Sequence, residues 1–86
     1  KFSVTLGVMP DYLFSGEGMR IDGVSKDKTA FNAGIIKGDI VVKMGEKDVD
    51  DMMSYMEALS LFQKGDTTIV KVSRLGELID LIAIFK

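Results

Sequence analysis

Apolar and polar residues alternate from the start of the chain. Phe2, Val4, Leu6 and Val8 are separated by Ser3, Thr5, Gly7 and Met9, the period of a strand with one buried face. Pro10 has no backbone donor and is expected to end that strand. Asp11 to Gly18, with Ser15-Gly16-Glu17-Gly18 at its end, reads as a loop. Met19 to Val24 alternates again and predicts a second strand. Thr29-Ala30-Phe31-Asn32-Ala33 predicts a short helix, closed by Gly34 in the left-handed position that follows many helices. Ile35-Ile36 is an apolar plug, Lys37-Gly38-Asp39 a turn, and Ile40 to Met44 a β-branched strand ending at Gly45-Glu46-Lys47. From Val49 to Lys64 the period becomes helical, with Met52, Tyr55, Met56, Leu59 and Phe62 three or four apart. Asp50 or Asp51 is its natural N-cap and Gly65 its natural stop. Thr67 to Arg74 and Leu78 to Phe85 predict a hairpin through Leu75-Gly76-Glu77. The string is that of a small α+β fold: a partly open five- to six-stranded barrel or sandwich, capped by one short and one long helix.

Composition narrows what such a module can do. The 86 residues make one compact domain, and they include no Cys and no His. That inventory excludes cysteine or histidine nucleophiles and bases, His-based serine triads and Cys/His zinc sites. Hydrophobic residues are 47%, charged residues 28% and the net charge is −2, which argues against a polybasic nucleic-acid binder. The run from Leu78 to Phe85 is broken by Asp80 and is much too short to cross a bilayer, so no membrane insertion is expected. The chain opens on Lys1 without an initiator Met, as expected of a piece cut from a longer protein or of a processed one.

The remaining constellations have ordinary readings. Asp48, Asp50 and Asp51 lack the alternating oxygen ligands of a calcium loop, since Met52-Met53 stands where ligands should be, and capping explains them better. Gly16, Gly18 and Gly23 do not have dinucleotide spacing. No Ser/Lys pair is nominated by placement. Met52, Met53 and Met56 fill the early turns of the long helix and read either as core or as an adaptable apolar wall, because unbranched thioethers reshape around varied side chains. With an exposed first strand, such a wall would bound a groove where an extended peptide adds to the sheet edge.

These residues resemble the PDZ domain. Thr5-Leu6-Gly7-Val8 is similar to that family's carboxylate-binding loop. Ile21-Asp22-Gly23-Val24, then Ala33-Gly34-Ile35 and Gly38-Asp39-Ile40, are similar to its strand, short helix and turn, and the likeness covers essentially the whole chain. The element order resembles the bacterial, circularly permuted, HtrA-like form, and Leu6 to Tyr12 followed by Gly18 to Val24 looks most like the C-terminal PDZ domain of secreted M28-type zinc aminopeptidases.

The resemblance implies a peptide-binding module with no catalytic residue, metal or cofactor of its own, appended to a periplasmic or secreted peptidase whose catalytic domain would hold any zinc. The amides of Leu6, Gly7 and Val8 would take a carboxylate, and Leu6, Val8, Met9, Met52, Met56 and Leu59 would line the groove. Tyr55 and Phe62 would then face the core, while a helix register shifted by one residue would put Met53 and Ser60 in the groove instead. Without His at the first groove position, an apolar C-terminal residue is the expected ligand, and Pro10 would limit pairing to two or three residues of it. The expected partners are thus a peptide or protein C-terminus and the parent peptidase domain, with no nucleic acid. In the alternative reading, the parent chain itself fills the groove and the module is structural. Leu78, Ile79, Leu81, Ile82 and Phe85 put apolar residues on both faces of the last strand, which suits burial on two sides or docking against the parent.

Overall fold

A computed structural model describes residues 3–86. The elements in chain order are β1 (Val8–Pro10), β2 (Met19–Val24), α1 (Thr29–Ala33), β3 (Ile40–Met44), β4 (Lys47–Asp48), α2 (Met52–Leu59), β5 (Thr67–Arg74) and β6 (Glu77–Ile84). The strands form one antiparallel sheet in the order β1-β2-β3-β5-β6, with β4 paired to β3. Strand faces bearing Ile21, Val41, Val70, Val72 and Ala83 meet the helix faces bearing Ala30, Tyr55, Ala58 and Leu59 in one buried core. This is the expected α+β architecture, with β4 as an element that the sequence reading treats as a turn.

Several boundaries differ from the sequence expectation. The first strand is shorter: Val4 and Leu6 are buried, yet pairing begins only at Val8. Gly7 is the cause, because its φ of +77° turns the chain before the ladder starts. The expected start of that strand at Phe2 lies outside the described residues. Pro10 ends the strand as expected, as its last residue, paired with Ile21 across an irregularity in register.

The long helix is half the expected span. Asp51 caps it, accepting from the Ser54 N–H at 2.9 Å while the Ser54 side chain reaches back to the cap, a reciprocal capping box. The Ser54 amide and hydroxyl hold the Asp51 carboxyl below its usual value. At the other end the chain leaves the helix after Leu59, and the Phe62 ring stacks on Phe85 with centroids 5.2 Å apart. Gly65 is therefore not the helix stop; its N–H donates to the Phe85 carbonyl and opens β5.

The turn Lys37-Gly38-Asp39 has a long-range anchor. Asp39 is 1% exposed, and its carboxylate accepts from Arg74 Nε and Nη2, both at 2.8 Å, and from the Ile36 N–H at 3.0 Å. Arg74 Nη2 also donates to the Gly34 carbonyl at 2.8 Å, so one guanidinium ties the end of α1 and the start of β3 to the tip of β5. The bidentate bonds to Asp39 raise the guanidinium's pKa further above its already high value. The hairpin that follows uses two residues, Leu75 (φ 52°) and Gly76 (φ 85°), between the paired Arg74 and Glu77. Glu77, expected in the turn, is thus the first residue of β6.

Candidate functional site

The loop before β1 is aimed by its carbonyls. The Leu6 carbonyl accepts from the Ala30 N–H at 2.8 Å and the Gly7 carbonyl from the Ser25 N–H at 2.9 Å. In a trans peptide the next N–H points the opposite way, so the amides of Gly7 and Val8 face away from α1 and β2. The Gly7 N–H meets the Thr5 hydroxyl at 3.2 Å. No other residue fits at position 7, since a Cβ there would lie 2.4 Å from Lys28 Cβ in addition to the unfavourable φ.

Alternation then defines the open edge of β1. Gly7 and Asp11 bond toward the β2 side, through Ser25 N–H to Gly7 O and Asp11 N–H to Arg20 O, and Met9 pairs with Gly23 between them. In an antiparallel ladder the intervening residues present their backbone groups to the other side. Val8 therefore offers both its N–H and its C=O outward, and Pro10 offers a C=O only. This is why Pro10 is tolerated inside β1: its missing donor falls on the unpaired side.

Side chains sort by the same period. Val8 packs against the core, whereas Met9 lies on the opposite face, exposed and crossing Gly23, where a Cβ would come within 2.4 Å of Met9 Cε. Two expected groove residues are accordingly placed elsewhere. Met9 is on the wrong face of the strand, and Leu6 is fully buried, so its contribution at the loop is limited to backbone.

Helix α2 supplies the facing wall. Tyr55, Ala58 and Leu59 point into the core, as expected for Tyr55, and Phe62 packs beside them from beyond the helix end. Glu57 bonds to Lys47 of β4 at 3.4 Å, which fixes one flank of the helix against that strand. Met52 and Met56, one turn apart, lie on the other flank, with Leu59 continuing the row at its buried base. Met52 also lines a recess of about 300 Å³ with Asp11, Tyr12, Phe14, Arg20 and Asp51, which places this flank at the Asp11 end of β1. Met53 is 68% exposed and does not join the row.

Two polar features at that end escape a reading of sequence periodicity. Asp11 pairs with Arg20 at 2.9 Å and accepts from the Leu13 N–H, which shapes the loop beyond β1. Burial, with a smaller effect from the charge of Tyr12, pushes the Tyr55 hydroxyl up to about 12. Tyr12 lines the recess beside Asp51 and Met52 at the start of α2. Among the described residues, no group of three or more Asp or Glu side chains is placed to hold a metal ion.

The observed parts of the site are the amides at the Gly7 loop, the open edge of β1 and, at its Asp11 end, a recess bordered by Met52 at the start of α2. Comparison with known proteins agrees with this geometry. The PDZ domain family matches residues 4–83. A serine protease Do-like HtrA of Lactobacillus helveticus is 39% identical over 64 residues, which are 74% of this chain and 16% of that protein. Among solved structures, an aminopeptidase N family protein of Idiomarina loihiensis superposes with TM-score 0.88 at 24% identity, over 99% of this chain and 14% of that one. The HtrA-type protease AlgW, solved with a decapeptide, gives 0.85 at 21% identity, over 98% of this chain and 29% of that one. The HtrA3 PDZ domain bound to a phage-derived ligand gives 0.78 at 17% identity, over 100% and 88%. The chain therefore spans a small part of the proteases and peptidases that carry a matching domain, and it belongs to the PDZ domain family.

Proposed function

We propose that this domain binds an extended peptide by adding it, antiparallel, to the open edge of β1, with the peptide's C-terminal carboxylate at the amides of Gly7 and Val8. The observation that carries this reading is the outward pair of Val8 backbone groups beside the Gly7 N–H. The outward Val8 N–H is a fixed donor that needs no reorganisation when an anion arrives, and the Gly7 N–H joins it once the Thr5 hydroxyl turns away. A ligand running antiparallel to β1 puts its C-terminal side chain near Val8, Met56 and Leu59, an apolar setting, and its upstream residues near Met52 and the Asp11–Tyr12 recess. The methionines confer tolerance for the shape of the side chain more than strict selection.

The parent is read as a peptidase, in line with the protease relative, and this module as the part that positions substrate or regulates access to a separate active site. The family resemblance supports a periplasmic or secreted setting and, in its finer form, a zinc aminopeptidase parent; metal-ligating His, Asp and Glu residues in the parent's other domains would test that form. For the module itself, labelled peptides with apolar C-termini are titrated as free acids and as amides. The free acid is expected to bind at least about tenfold tighter than the amide. Met56→Asp is expected to weaken binding of both forms. Equal affinity for acid and amide would remove the carboxylate role, and no binding of either would favour a groove filled by the parent chain.

A further inference from the structure

The sheet has a second open edge, β6, on the far side from the peptide cleft. The Phe85 N–H donates to the Asp66 carbonyl and the Phe85 carbonyl accepts from the Gly65 N–H, so residue 85 bonds toward β5. By alternation the backbone groups of Leu78, Asp80, Ile82 and Ile84 face outward, where no strand among the described residues pairs with them. The register with β5 is unbroken from Thr67↔Ile84 to Arg74↔Glu77. Leu78, Ile82 and Ile84 are each more than half exposed, and Ile69, paired with Ile82, is 46% exposed beside them. Helix α1 runs alongside without closing the edge, leaving a groove of about 130 Å³ lined by Asn32, Ala33, Ile82, Ile84 and Lys86. Natural sheets blunt such an edge with proline, bulges or repeated charge, and a long, regular, apolar edge lacking these is a template for pairing. Here Asp80 is the one charged residue on the outer row.

We propose that β6 pairs with β6 of a second copy of this chain, antiparallel about a two-fold axis at Ala83. Charge selects both the occupant and the register. With the axis at Ala83, Ile82 faces Ile84 of the second copy and Asp80 faces Lys86 of the second copy. Asp80 already holds Lys71 at 3.3 Å, so a charge row Lys71–Asp80–Lys86 crosses the seam, flanked by a row of isoleucines that Ile69 extends. Sliding by two residues puts Asp80 against Ile84, by four against Ile82 and by six against its own copy, so each alternative loses the ion pair or opposes like charges. An isologous pairing of this kind closes on itself and makes a dimer. One strand per copy buries less than the roughly 1,200 Å² of a standard interface, so the dimer is weak and depends on concentration.

Sedimentation equilibrium of the 86-residue chain, from about 10 μM to about 1 mM, tests the proposal. A reversible monomer–dimer equilibrium is expected. Ile82→Pro removes a donor only on the open side and should weaken the dimer at least about tenfold, with the thermal melt showing that the fold remains. Lys86→Glu, near the chain end and outside β6, should weaken it several-fold, and adding Asp80→Lys should restore it. A chain that stays monomeric throughout the range overturns the proposal, as does a dimer indifferent to Ile82→Pro. A dimer that ignores the charge exchange overturns the register centred on Ala83.

Discussion

The two open edges of this sheet differ in length, regularity and neighbours. β1 has three residues, a register irregularity and a proline whose missing donor faces outward. β6 has eight residues, an unbroken register and no proline. At the Asp11 end of β1 stands the start of α2 with Met52; beside β6 lie the short α1 and an exposed apolar row. An edge that gives few main-chain bonds must take its affinity from an end group and side-chain pockets, which suits a short C-terminal ligand. A long regular edge draws affinity from length and suits a straight strand of fixed register. Length, register and the place of one proline thus distinguish the edge proposed to capture a peptide from the edge proposed to pair with a second copy.

The largest expected effect tests whether the edges are mechanically independent. Asp39→Ala breaks the clamp that holds β5 and the β6 hairpin to α1, and it leaves the Ile36 N–H without its acceptor. The Arg74 left behind is partly exposed and can be hydrated, so the loss comes from the charge-assisted bonds and the orphaned Ile36 N–H, together the largest destabilisation expected of these substitutions. Denaturant unfolding of this variant, and of the milder Asp39→Asn, should show that loss. Peptide affinity at β1, measured on the folded fraction, should change little, because the Leu6, Gly7 and Val8 backbone is held by Ala30, Ser25 and β2 instead. A parallel loss of affinity would show that the clamp also sets the β1 loop.

An effect next in size concerns the helix beside β1. Tyr55 is 6% exposed, and its hydroxyl ionises at about 12 in the folded protein against 10.0 ordinarily. The native state keeps this proton after the unfolded chain has lost it. The associated stability is therefore full below pH 10 and falls as pH rises toward 12, by about 2–3 kcal/mol. Stability against pH should show this alkaline decline, and Tyr55→Phe should remove it. Tyr12→Phe should reduce it slightly, because the charge on Tyr12 is the lesser of the two causes. An unchanged decline in Tyr55→Phe would assign it to other groups.

What was legible in the sequence was what neighbours in sequence decide. The bounds of β2, α1, β3 and β5, the Gly34 cap and the Asp51 cap follow from local period and capping chemistry, and the structure has them as expected. The end of α2 was not legible, because Phe62 leaves the helical path to stack on Phe85, a partner far along the chain. Nor was the role of Asp39, whose arginine is 35 residues away. At the site, helical period separated Met52 and Met56 from Tyr55 correctly. Met9 differs: a strand's period of two puts it opposite Val8, and grouping both in one groove follows the resemblance against the period. Leu6 is the reverse case. Its inward direction fits the alternation, but its complete burial depends on α1 closing over it through the Ala30 N–H.

The smallest predicted effect makes β1 resemble β6. Pro10→Ala adds an N–H on the open side, next in line after the outward Val8 pair. A ligand long enough to reach residue 10 gains a donor for a carbonyl that otherwise faces only water, worth about 1 kcal/mol, or about fivefold in affinity. A ligand that ends short of residue 10 gains nothing. Titrating a tripeptide and a hexapeptide with the same C-terminus against both forms of the domain separates these cases, and the gain should be confined to the longer peptide. The substitution should also lower stability by about 0.4–1 kcal/mol, since alanine leaves the unfolded chain more freedom. Tighter binding with a less stable fold is the combination that marks an edge effect, because a general improvement in packing would raise both. If the hexapeptide binds Pro10→Ala no better than the original, the nitrogen of residue 10 is not on the ligand's ladder, and the short reach of β1 has its cause in the bulge against β2.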